Sequence, residues 1–120
     1  MNQVLINGRV AQDPTSRVIN DKMKVANFSV AVSTKSKDKD KSTIFVNCAA
    51  WNNTAEQVVQ QFTKGSYIAL MGHLTVENYT DKNGNKVSKT VIVADEVFNA
   101  KLLERTESKP QAQTQPEYNF

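Results

Sequence analysis

The sequence predicts an all-β protein with one short helix, its elements ordered β-β-β-α-β-β as in a closed five-stranded barrel. Three observations predict it: several runs alternate apolar and polar residues at the period of a half-buried strand, a single window has helical spacing, and turn residues separate the runs. A chain of 120 residues is about one domain and can bury a core without disulfide or metal staples.

Val4, Ile6 and Val10 alternate ahead of the turn signal Asp13-Pro14 and define a first strand. In the second, Ala26, Phe28, Val30 and Val32 share one face, with Asn27, Ser29 and Ser33 opposite. The third covers residues 43–51. There Ile44, Val46, Cys48 and Ala50 point inward, which leaves Phe45 and Trp51 on the other face beside Asn47. The segment NNTAEQVVQQFTKG places Ala55, Val58, Val59 and Phe62 at helical spacing. Thr54 with Gln57 reads as a capping box, and Gly65 after Lys64 as a left-handed cap at the helix end. In residues 67–79 Ile68, Leu70, Leu74 and Val76 turn inward. Asn83-Gly84 then leads to the β-branched run Val91, Ile92 and Val93, so the fourth and fifth strands make a long hairpin.

This order is that of the OB-fold, a barrel that binds oligonucleotides and oligosaccharides. The aromatic rings on its outer face suit an unstacked nucleobase, although Phe45 and Trp51 alone would equally suit a second sheet or a subunit partner. Charge adds to the case. Residues 1–103 carry +4 and residues 104–120 carry −1, and Lys35, Lys37, Lys39 and Lys41 crowd the segment TKSKDKDKS, which has no apolar residue to bury. That segment is expected to be a mobile basic hairpin. From about Thr106 the composition turns to Ser, Lys, Pro, Gln and Thr, the signature of a disordered tail. The domain boundaries expected are therefore 1–103 for the barrel and 104–120 for the tail.

Four ordered blocks, VLINGRVAQDP, VANFSVAVS, TIFVNCAAWNNTAEQVVQQFTKG and GHLTVENYTDKNGNK, resemble the bacterial and phage single-stranded DNA-binding protein family over roughly residues 1–103. The resemblance implies that Phe45, Trp51 and Tyr79 form a base-stacking platform, with phosphates met by Arg9, Arg17 and the hairpin lysines Lys35, Lys37 and Lys39. It implies weak sequence preference, a homotetramer, and roles in DNA replication, recombination and repair. Members commonly carry a further aromatic in the second hairpin, where this chain has Ser36 among lysines; charge standing in for that ring predicts a stronger salt dependence. The family's tail normally ends in an aspartate run with an apolar tip that docks on replication and repair proteins. This chain ends PEYNF and keeps Phe120 with Glu117 as the one acidic side chain nearby, which weakens the expected recruitment of partners.

Other classes fit less well. The lone His73 and lone Cys48 lack the spacing of a zinc site, and Asp95 and Glu96 adjoin on a strand and so diverge. No phosphate-binding glycine loop or nucleophile elbow occurs, so neither catalysis nor a cofactor or metal is expected. Cys48 is read as a small inward hydrophobe in a reducing cytoplasm, and the absence of a long apolar run or signal layout points to a soluble intracellular protein without a membrane partner. A protein-interaction barrel and a barrel for structured RNA are the competing readings.

Overall fold

The inward residues of the alternating runs meet in one apolar core, in which Val10, Phe28, Val30, Ile68, Leu70 and Ile92 are each at most 6% exposed. The computed structural model describes residues 1–35 and 41–101, apart from the side chains of Lys35 and Lys41. Its elements are β1 (Val4–Val10), β2 (Thr15–Asn20), β3 (Met23–Lys35), β4 (Lys41–Trp51), α1 (Asn52–Gln61), β5 (Tyr67–Thr80) and β6 (Lys86–Asn99).

Five of these strands close a ring. β1 pairs with β5, β5 with β6, β6 in parallel with β4 at Cys48↔Ile92 and Ala49↔Val93, and β4 with β3. β3 returns to β1 through Arg9↔Ala31 and Val10↔Val30. Gly8 permits this closure, because a Cβ there would strike the carbonyl oxygen of Ala31 across the joint. Ala55, Val58 and Phe62 of the α1 region plug the interior, and α1 packs against β3, β4 and β6.

The five expected strands and the helix are all present, and the structure adds β2, which pairs with residues 23–27 of β3. Every residue of β2 is exposed, so it has no buried face to impose the alternation that betrays a strand. Four local expectations need correction. The helix begins one turn earlier than a capping box at Thr54 requires: its N-cap is Trp51, which makes no side-chain capping bond. Gly65 does take a left-handed φ of 91°, but three residues past the Phe62 C-cap, in the turn where its N–H donates to the Val10 carbonyl at 2.7 Å. Val59 is exposed rather than inward. Ile44, Leu74 and Val76 lie on the inward-facing side of their strands yet remain about half exposed, because the arms of the two long hairpins run past the end of the core.

Asn83-Gly84 makes the expected turn. Asp81 Oδ1 accepts from the N–H groups of Asn83 and Asn85 at 2.9 Å each, and Gly84 adopts a φ of 85°. Near the middle of the hairpin the register slips between Met71↔Glu96 and Gly72↔Ala94, leaving Asp95 as the extra residue of a bulge. Tyr67 is buried, and Val4 is half-buried against the core.

Candidate nucleic-acid interface

Phe45 and Trp51 stand on the outer face of β4, 67% and 37% exposed, with Asn47 and Ala49 between them on the same side. Six residues of strand separate the two rings by about 20 Å, farther than a single base can reach. Tyr79 is 50% exposed near the end of β5. It shares with Phe45 an open groove of about 580 Å³ whose lining also includes Val87, Asn47 and Lys89. The structure thus brings Phe45 and Tyr79 into one groove. Trp51 lies farther along the same face and lines none of the described clefts.

Strand register extends this face sideways. Directly paired antiparallel residues point the same way, so Arg9, Ala31 and Phe45 form one row and Arg17, Val25 and Trp51 another. Each arginine therefore sits two strands, about 10 Å, from a ring. Arg9 is partly engaged. Its guanidinium lies 4.3 Å from the centroid of Tyr67 and donates to the Gly65 carbonyl at 3.2 Å, which uses one edge of the fork and leaves other N–H donors for a phosphate. Arg17 is exposed on β2.

Lys35 and Lys41 pair at the last described step of the β3–β4 hairpin; Lys37, Lys39 and the tail residue Phe120 lie outside the described residues. Lys89, which alternation does not single out, pairs with Glu77 across the β5–β6 hairpin and lines the groove that Phe45 and Tyr79 share. A sequence signal for it existed, since Val87, Lys89 and Val91 share the parity opposite the core residues Ile92 and Ala94, but the facing strand was needed to place it.

Beneath the platform Val25, Ala49 and Val91 form a small apolar cluster that stiffens the outer face around Trp51. Cys48, on the core side of the same strand, is 2% exposed, and burial pushes its thiol up to about 12. His73 Nδ1 and Asp95 Oδ2 approach to 3.1 Å, the bulge having turned Asp95 toward the imidazole. Among the described residues no group of three or more His, Cys, Asp or Glu side chains is placed to hold a metal ion.

An open outer face with separated aromatic rings and flanking arginines suits an extended polymer of flat rings and anionic links. The model of the single-strand binding protein family matches residues 1–99. The chain belongs to the single-strand binding protein family. It is 33% identical over 119 residues to the single-stranded DNA-binding protein 1 of Lactococcus lactis, an alignment covering 94% of this chain and 79% of that one. It is 37% identical over 101 residues to a single-stranded DNA-binding protein of Fusobacterium nucleatum and 33% over 99 residues to single-stranded DNA-binding protein 2 of Listeria monocytogenes. In both the match covers 81% of this chain, and it spans 65% and 62% of the two relatives. Membership fits the ring of strands, which has the order of the family's OB-fold. No helix among the described residues is long and apolar enough to cross a membrane.

Proposed function

We propose that this single-strand binding family protein coats single-stranded DNA with little sequence preference, shielding it during replication, recombination and repair, and that it turns over no substrate. The observation carrying this reading is the outward pair Phe45 and Tyr79 in one open groove, with Trp51 farther along the same face. Each ring supplies a stacking surface worth about 1 to 3 kcal/mol per base, and stacking tolerates any base because each has a flat side. Arg9, Arg17, Lys89 and the hairpin residues Lys35, Lys37 and Lys39 meet the phosphates, whose counterions are released on binding. The barrel occupies residues 1–103 and residues 104–120 form a tail, whose Phe120 is a weak docking point for replication proteins. The working assembly is a homotetramer in a bacterial cytoplasm, so light scattering should return four times the 13.4 kDa chain mass.

The chain has a single tryptophan, which makes its emission a local probe of the face. Adding an unstructured thymidine oligomer should lower Trp51 emission, and high salt should restore it. An unchanged spectrum at micromolar oligomer would favour a protein partner on these rings, and a preference for folded RNA would favour the structured-RNA reading.

A further inference from the structure

Between Phe45 and Trp51 the outer face is not flat. A cleft of about 190 Å³ opens there, its lining including Gln12, Asp13, Asn27, Asn47, Glu77 and Lys89. It is continuous with the Phe45–Tyr79 groove, because Asn47 and Lys89 line both. We propose that this cleft is a base-edge subsite that favours guanine at the nucleotide bridging the two rings. The proposal rests on the reading that this face binds single-stranded DNA.

Position comes first. The rings on β4 are about 20 Å apart, so a strand stacked on both carries at least one nucleotide over Asn47 and Ala49, at the mouth of the cleft. Charge comes next. Asp13 and Glu77 outweigh Lys89, so the cleft repels a phosphate, whereas the arginine rows to its sides attract one. The strand is then oriented with its backbone toward Arg9 and Arg17 and a base turned inward.

Hydrogen-bonding capacity selects the base. Glu77 and Lys89 are directly paired across β5 and β6 and project from one face. Glu77 and Lys89 form no ion pair with each other, so both head groups are available to a ligand. Asp13 is held in place by the Lys64 N–H, which donates to its Oδ1 at 2.8 Å, and its second oxygen remains available. The Watson–Crick edge of guanine offers two adjacent donors, N1–H and N2–H, beside the acceptor O6. A carboxylate takes both donors and an ammonium donates to O6, which is the complement that Glu77 and Lys89 present. Thymine matches less well, since its single N3–H is flanked by two carbonyl oxygens and one of these would face the carboxylate. Adenine and cytosine each offer one amino group and lack the paired donors.

The test is competition against a thymidine oligomer, read by Trp51 emission, with otherwise identical oligomers carrying one guanine, one hypoxanthine or one adenine. The guanine oligomer should bind about 3- to 10-fold tighter than all-thymidine, as expected of a bidentate contact open to water on one side. Hypoxanthine, which lacks the 2-amino group, should lose most of that gain, and adenine should show none although it stacks well. Glu77→Gln replaces one acceptor by a donor and should bring the guanine-to-thymine ratio close to one. Equal binding of guanine and thymidine oligomers, an equal gain from adenine, or a ratio unmoved by Glu77→Gln would each overturn the subsite. Failure of the wild-type protein to bind any of the oligomers would instead overturn the underlying DNA-binding reading.

Discussion

Phe45 and Trp51 were legible because each interrupts an outer face that is otherwise polar or small, and alternation alone puts a residue on one side or the other of a strand, whereas Tyr79 came only from the family resemblance. What alternation could not supply was distance: that Tyr79 shares a groove with Phe45 while Trp51 stands apart follows from the pairing of β4, β5 and β6. The same holds for Arg9, whose stacking over Tyr67 depends on β1 lying beside β5. On these grounds Trp51→Ala should weaken binding to a thymidine oligomer by about 1 to 3 kcal/mol, and by more than Lys39→Ala, since the ring is fixed on a strand. Equal losses would refute the ranking. Cys48 gives a prediction of a different kind. Its thiol is raised from 9.0 to about 12 by burial, so the folded protein holds that proton after the unfolded chain has released it. Its contribution to stability is therefore complete below about 9 and is lost as pH rises from about 9 to about 12. Iodoacetamide at mildly alkaline pH should leave the native thiol unlabelled and modify it in urea; rapid labelling of the native protein would contradict this.

Elements with a buried face were readable and those without one were not. β3 and β5 carry inward residues every second position, whereas β2 is exposed throughout and holds its place by hydrogen bonds to β3 rather than by packing. Chemical punctuation misled at the helix because capping residues compete: Asn52 takes a φ of 53° and its side chain accepts from the Lys24 N–H at 3.0 Å, so β4 passes into α1 before Thr54 is reached. The β5–β6 hairpin depends on a close approach at its bulge. A Cβ on Gly72 would strike the Val93 carbonyl oxygen, a backbone atom that cannot move without disturbing the pairing. Gly72→Ala should therefore destabilise the fold by about 1 to 3 kcal/mol, read as a lowered urea midpoint with an unchanged slope. A midpoint equal to that of the parent would show that the two strands can separate at the bulge.

At the scale of the molecule, the ring of five strands leaves one continuous outer face from Arg17 and Trp51 across to Phe45 and Tyr79, and positive charge is concentrated in the same part of the chain, +4 over residues 1–103. Closure of that ring through Gly8 and Ala31 is a long-range event that no local pattern encodes, yet the order of elements was enough to imply it. If charge replaces a missing ring near Ser36, binding should fall steeply with salt, and changing Lys37 and Lys39 to Ala should flatten the slope of log K against log salt by about 0.7 for each lysine that meets a phosphate. A slope that the double substitution leaves unaltered would remove those lysines from the interface. The central claim is that bases, stacked on exposed rings, carry the affinity. It is tested most directly by comparing a thymidine oligomer with an abasic oligomer of equal length and charge in the same buffer. Stacking predicts that the abasic strand binds at least about tenfold more weakly and leaves Trp51 emission unquenched; equal affinity for the two strands would contradict it.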